Sequence, residues 1–466
     1  MAAAVNGALS EPAGNKVYLG FWSQTESPYF VFPINLNTEF QLPSTASIQP
    51  SLNVSIPIFQ IAQQLPLPRY NYTTGAGGEP PEYLIEQTIT DASVFVTVYP
   101  NLDTTQDSDL ESLGNQLLKW TVNNNRTVFL RFAPEMQGIW FSYGQRPAAY
   151  LALWSRMYGT IKRIAPNTVI VWAPNLAQGY PYGQTFTSTT ITAAEQAALD
   201  TNANGELDIG DDPYGPYYPG DALVDWIGLS VYYKGLSNGN QNIPQYQGFC
   251  SDVLSGTVVG HSNAAAGAAA NFYQTYCAAK PDKACMIAES GAAWHENSPA
   301  LNGQLDYQRT WWRDCILNTT YLDAHPRIKM IMHFEQHKTE SDGGVEDLRD
   351  YRISNATDVR NAFLADLAPI QDRFQWASYR AIPSTIPPTG RPSDTPAGGS
   401  GDSTDAPLVI QTARNTHTTF PQLFGSTSGA DAMRNRIGWE KFGATGVMLG
   451  LGVAVGVWRV GFGVGV

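Results

Sequence analysis

Charge is what this sequence has least of. Asp, Glu, Lys and Arg together make up 15% of its 466 residues, and 28 basic side chains face 41 acidic ones, for a formal charge of -13. A chain so short of cations argues against nucleic acid and anionic membrane surfaces as partners and in favour of neutral ones. Cysteine is scarce as well. The four present, Cys250, Cys277, Cys285 and Cys315, permit three pairings, and the short separation makes Cys277 with Cys285 the easiest loop to close. No Gly-rich phosphate loop of the G-x-G-x-x-G or G-x-x-x-x-G-K kind follows the first apolar run, which counts against a doubly wound nucleotide-binding sheet. The opening MAAAVNGALSEPAGN has neither the basic n-region nor the apolar stretch of a signal peptide, so secretion has to be argued from other features or from a start further upstream.

What is plentiful is aromatic and turn-forming. Twelve Trp, 23 Tyr, 42 Gly and 31 Pro suit a loop-rich extracellular domain with aromatic binding surfaces. Glycosylation acceptors of the N-x-[ST] form occur at Asn53, Asn71, Asn125, Asn318 and Asn355, each needing exposure in a secretory lumen. Residues 1–15 are expected to be unstructured and residues 16–380 to hold the folded domain. Residues 381–410 form a Pro/Ser/Thr/Gly-rich stalk that cannot bury a core. A polar tail (411–442) and an apolar tail (443–466) follow. Small residues at Ser428, Gly429 and Ala430, then a polar spacer, then the apolar end resemble a GPI-attachment signal, with a single membrane-spanning helix as the other reading. The expectation is a secreted or cell-surface monomer, held to membrane or wall through that tail.

Between the termini, short apolar runs alternate with amphipathic stretches, the pattern of a parallel sheet with crossover helices. Strands are expected at residues 17–21, 57–61, 94–98, 128–132, 169–172, 225–230, 285–288 and 328–333. Helical periodicity covers residues 107–123, 147–164, 264–279 and 304–321, with Pro147 suited to a first helical position. Eight strands in that alternation predict an α/β fold of the (β/α)8, or TIM, barrel type.

Function in such barrels gathers at the C-terminal ends of the strands. There the sequence places Pro134-Glu135, Ala173-Pro174-Asn175, Ser230-Val231-Tyr232-Tyr233, Glu289-Ser290-Gly291 and His333-Phe334-Glu335-Gln336. Two carboxylates from different strands are what glycoside hydrolysis requires, roughly 5 Å apart when configuration is retained. Glu135, between Pro134 and Met136 and near Trp140, has the drier context expected of a proton donor. Glu289, facing Tyr232, suits the nucleophile. Arg131, Gln137, Trp140, Trp172, Asn175, Trp294 and His333 complete the set expected to contact sugar. His333, His337 and Glu335 match no strong zinc spacing, so no cofactor is expected for catalysis.

The segments LRFAPEMQGIW, VIVWAPN, DWIGLSVY, IAESGA and DYRIS (350–354) occur in order over residues 17–367. Together they resemble glycoside hydrolase family 26, barrel enzymes best known as β-mannanases. The resemblance implies Glu135 as proton donor, Glu289 as nucleophile, Tyr232 as its supporting phenol, Trp140 as a sugar-stacking ring, and retaining endo-hydrolysis of a β-linked polysaccharide. Pro134 stands where the family usually has His, and Ser230 where it usually has an acidic residue, so β-glucans join β-1,4-mannan as expected substrates. The other reading is a wall-attached carbohydrate-binding protein whose catalysis has lapsed.

One further stretch, DTNANGELDIGD, sets Asp200, Asn202, Asn204, Glu206 and Asp211 at positions one, three, five, seven and twelve of an EF-hand-like loop, with Gly205 at six. A structural Ca2+ is expected there, bound less tightly than where Glu ends the loop.

Overall fold

The computed structural model describes residues 10–23, 52, 54–67, 88, 90–187, 191–235, 242–258, 271–298, 300, 303–342 and 345–380. The expected stalk and tails, and Asn53 and Asn71, lie outside these.

All eight expected strands form, several longer than the apolar runs that announce them: β1 (Tyr18–Ser23), β2 (Ile58–Gln64), β3 (Ser93–Tyr99), β4 (Val128–Phe132), β5 (Val169–Trp172), β6 (Trp226–Tyr233), β7 (Ala284–Ala292) and β8 (Ile328–Glu335). They pair in parallel and in chain order, and β8 returns to β1 with Phe21 opposite His333 and Ser23 opposite Glu335, closing the barrel. The fold is a (β/α)8 barrel. Strand alternation sorts the side chains into two layers. Phe95, Phe129, Val169, Val171, Ala173, Trp226, Met286 and Met332 fill the barrel, while Leu130, Phe132, Ile170, Trp172, Ile227 and Leu229 pack outward against the helices.

Two of the expected helices, over residues 107–123 and 147–164, form; of the one expected over 264–279, residues 264–270 lie outside the described residues and Tyr273–Ala278 is a π-turn. Asp107–Leu118 (α1) opens with a capping box in which the Gln106 N–H donates to Asp109 at 2.8 Å. Pro147–Ile164 (α2) has Pro at its first position and buries Tyr150, Leu153, Trp154, Met157 and Ile161, one stripe at i, i+3, i+4 spacing. Its N-cap Arg146 makes no side-chain capping bond, its guanidinium pairing with Asp103; the Glu195 carboxylate, from Ala193–Leu199 (α3), accepts the N–H groups of Ala148 and Ala149 instead. The helix expected over residues 304–321 is broken. Gln304–Trp311 runs through a π-turn at Trp312–Ile316, and a new helix, Thr319–Ala324, starts at Asn318, whose side chain accepts the Tyr321 N–H. Asn318 thus serves as a half-buried cap, whereas Asn125 and Asn355 are exposed.

Two disulfides join Cys277 to Cys285 and Cys250 to Cys315. Outside the barrel, Val345–Asp350 pairs with both His337–Asp342 and Trp294–His295 in a small antiparallel sheet that the sequence reading did not anticipate. Its strands are polar and carry no apolar run. Among the described residues no helix is long and apolar enough to cross a membrane.

Candidate active site

Arg131 is the hub of the barrel mouth. It shares the inward parity of Phe129 on β4, so its guanidinium enters the barrel axis rather than the helical layer, and it is fully buried. One terminal nitrogen pairs with Glu289 Oε2. The other donates to Ser230 Oγ at 2.5 Å and lies 3.7 Å from Glu135 Oε1. Carboxylates from the ends of two strands therefore meet on one cation, and their side chains keep 11% (Glu135) and 12% (Glu289) of their surface.

Each carboxylate reaches this place by a local departure from regular backbone. Strand alternation alone would turn Glu289 outward, because Met286 and Ala288 already point in. Against β6, Ile287 pairs with Leu229 but Glu289 with Ser230, so β7 carries one extra residue, and its pairing with β8 records the same shift. A bulge of this kind re-aims the side chains that follow it. Glu135 lies past the end of β4 with φ +56°, after Ala133 at +45°. Such left-handed positions are costly for non-glycine residues and concentrate at functional sites. The turn is held by the Glu135 N–H on the Ala173 carbonyl and the Gly138 N–H on the Glu135 carbonyl, both 2.9 Å.

The surroundings treat the two acids differently. Burial and the nearby Glu289 charge raise the Glu135 pKa above the ordinary carboxylate value, against the opposing effects of Arg131 and of hydrogen bonds from Ser230 and Trp140. The Trp140 indole N–H donates to Glu135 Oε2 at 2.8 Å. The indole lies flat over Gly138, where any Cβ would run into it, and its edge meets the Tyr182 ring, centroids 4.9 Å apart. Across the cleft the Tyr232 hydroxyl donates to Glu289 Oε1 at 2.5 Å. Burial and the Glu289 charge hold that phenol well above its usual pKa, so it stays a donor.

Of the other residues expected to touch sugar, several are spent on the scaffold. Gln137 is fully buried, its amide bridging to the Asn175 main chain at both ends. Trp172 points outward from β5, donates to the Tyr217 carbonyl and packs on Tyr218 and Tyr276. His333 is 1% exposed against Phe21, with Nε2 at 3.0 Å from the Tyr351 carbonyl oxygen. Arg131 is fully buried, its guanidinium taken by Glu289 and Ser230. Asn175 and Trp294 are half-buried, Asn175 bridging to Ser230 and Trp294 lying edge-on to Tyr307. Of the rings after Glu135, Tyr143 is buried, its hydroxyl on the Pro134 carbonyl, and Phe141 stacks on it.

Two neighbours escaped the sequence reading. Ser230, placed at a strand end by the sequence but given no role, accepts a bond from Arg131. Tyr99, at the end of β3, feels the charges of Glu289, Arg131 and Glu135, and burial raises its phenol. Its signal was its place at a strand end.

In the Asp200–Asp211 loop, Asp200 accepts the N–H groups of Asn204 and Gly205, and the side-chain amides of Asn202 and Asn204 face Asp208. Asp208, at loop position nine, was readable and overlooked. Glu206 is exposed. Asp211 is buried, and both its oxygens accept bonds from the loop: Thr201 and Asn202 on one, the Asp208 N–H on the other.

No protein-family model and no curated protein matches the chain. Solved structures resemble it in fold. A GH26 β-mannanase from Bacteroides ovatus is 12% identical over 78% of this chain and 90% of that one, with TM-score 0.46. An engineered protein is 15% identical over 77% and 70%, TM-score 0.43. A GH26-CBM35 β-(1,4)-mannanase from Podospora anserina is 14% identical over 69% and 56%, TM-score 0.35. At these levels the similarity carries no argument about this chain.

Proposed function

We propose that this chain is a retaining glycoside hydrolase that cleaves a β-linked polysaccharide, β-1,4-mannan or a related β-glucan, within the chain. The observation that carries the reading is the meeting of Glu135 and Glu289 on the Arg131 guanidinium at the C-terminal mouth of the barrel. In the first step Glu289 attacks the anomeric carbon while Glu135 gives its proton to the departing glycosidic oxygen. In the second, Glu135 takes a proton from water, which attacks the same carbon and releases Glu289. The raised Glu135 pKa supports its role as the acid. Arg131 and the Tyr232 hydroxyl hold and aim the Glu289 carboxylate, and Trp140 offers a face beside the acid on which a sugar ring can lie.

The test is hydrolysis of mannan, galactomannan, lichenan and laminarin with the products resolved by anomer in NMR. Initial release of the β-anomer, lost in Glu289→Ala and Glu135→Ala, supports the reading; α-anomer or no turnover by the unaltered protein defeats it. The low exposure of both carboxylates favours a second reading, a carbohydrate-binding protein on the same barrel, which would hold sugar without turnover.

The two disulfides support placing the protein in an oxidising, extracellular setting. For the Asp200–Asp211 loop we propose a structural Ca2+ held by Asp200, Asn202, Asn204, the Glu206 main-chain carbonyl and Asp208. Asp211, whose oxygens already accept loop bonds, has the least capacity left.

A further inference from the structure

Behind the Tyr232 ring lies a buried layer that belongs to the small outer sheet. Tyr351, 1% exposed, directly follows the strand Val345–Asp350. Its ring stands edge-on to Tyr232 at 5.5 Å and to Phe334 at 5.1 Å, and Phe334 stands edge-on to Tyr232 at 5.6 Å. The three rings close a triangle, an arrangement in which no ring turns without displacing the others. Gly291, two residues after Glu289, admits Tyr351 to it: a Cβ there would sit 2.9 Å from the Tyr351 Cδ1.

The far end of Tyr351 is tethered. Its hydroxyl donates to Glu340 Oε2 at 2.6 Å, and Glu340 is gripped by Arg349 at 2.7 Å, Lys338 at 3.1 Å and Lys234 at 3.3 Å. Two of those cations lie over the rings of the triangle, Lys234 over Tyr232 and Lys338 over Phe334. An ion cluster buried this deeply is an expensive way to hold a sheet in place and an effective way to specify one arrangement. Here the arrangement specified includes the ring whose hydroxyl bonds Glu289.

We infer that Tyr351, tethered by Glu340, is a positioning residue: it fixes the plane of Tyr232 and, through the Tyr232 hydroxyl, the orientation of the Glu289 carboxylate. The inference rests on the reading of Glu289 as nucleophile. Tyr351 acts through Tyr232 and has no part in the bonds made or broken. Its value lies in the narrow geometric tolerance of an attacking group, where displacements near 1 Å are costly in rate.

The experiment compares the unaltered protein, Glu289→Ala, Tyr351→Phe, Tyr232→Phe and the Tyr232→Phe/Tyr351→Phe pair on one polysaccharide, with thermal melting of each. Tyr351→Phe keeps the ring and removes the tether; the expected result is a kcat about tenfold lower with KM nearly unchanged. Adding it to Tyr232→Phe should cost nothing more, because both act along one path. Gly291→Ala, which displaces the same ring from the other side, should reproduce the kcat loss if Tyr351→Phe proves poorly folded. A Tyr351→Phe protein that melts lower but turns over normally, or losses that multiply in the pair, overturns the inference alone, provided the unaltered protein is active and Glu289→Ala is not. No turnover by the unaltered protein, or full turnover by Glu289→Ala, removes the functional reading and the inference together.

Discussion

Glu289 stands opposite Ser230 because β7 carries one more residue than β6 between Ile287 and Glu289. That single irregularity turns an acid from the helical layer into the barrel mouth, beside Ser230, whose hydroxyl accepts from Arg131 and donates to Glu135.

Ser230 and Trp140 both stabilise the ionised form of Glu135. Removing either donor raises the pKa of the acid further, and a general acid must be protonated to act. Ser230→Ala and Trp140→Phe should therefore each move the alkaline limb of the kcat/KM profile to higher pH, in addition to lowering its height. A pH-rate series on one soluble substrate measures this; a limb that stays or moves to lower pH contradicts the assignment of Glu135.

Glu135→Gln should remove activity and yet raise stability. The folded-state pKa of Glu135 is raised, so its contribution to stability is complete below the unfolded value, about 4.3, and is lost as pH rises through the folded value. Glu135→Gln removes a buried charge that faces Glu289. It should melt above the unaltered protein once pH exceeds the folded-state pKa, by about 1 °C for each kcal/mol relieved in a domain of this size, with the gap closing towards acid pH. Differential scanning calorimetry across pH checks both sign and window.

The disulfides should differ in weight. Cys250 and Cys315 are 65 residues apart, Cys277 and Cys285 only 8. On the loop-entropy account the longer closure is worth about 4 kcal/mol and the shorter about 2.5 kcal/mol. Replacing the first pair by serine should lower the denaturant midpoint more than replacing the second; the reverse order would point to strain or residual unfolded structure as the governing factor.

For the proposed Ca2+, melting should fall on chelation and recover with added Ca2+, the shift approaching about 2.7 kcal/mol when free ion exceeds Kd a hundredfold. Asp200→Ala should abolish the difference. Melting that ignores chelator rules the ion out.

The barrel was legible because its strands are apolar on both faces: VFLRF and VIVW announce β4 and β5 to the residue. Trp172 follows from the same alternation carried one step further, since Val171 and Ala173 point inward and force the indole out of the barrel. The bulge in β7 was not legible, because register depends on two neighbouring strands at once and leaves no mark in ACMIAESGA. Nor was the outer sheet, where polar strands such as HKTESD are held by an ion cluster assembled from Lys234, Lys338, Glu340 and Arg349. Arg131 is expected to contact sugar, and the barrel parity it shares with Phe129 buries it under the two carboxylates.

The placement of Arg131 also sets how the cleft meets its surroundings. One guanidinium stands against the Glu135 and Glu289 carboxylates, and the raised pKa of Glu135 lessens the negative charge it adds, so the mouth of an otherwise acidic molecule gathers little counterion cloud of its own. An uncharged saccharide can then enter without displacing salt, and KM should stay level as ionic strength rises from about 0.01 to 1 M, a range over which the screening length shrinks from about 30 to 3 Å.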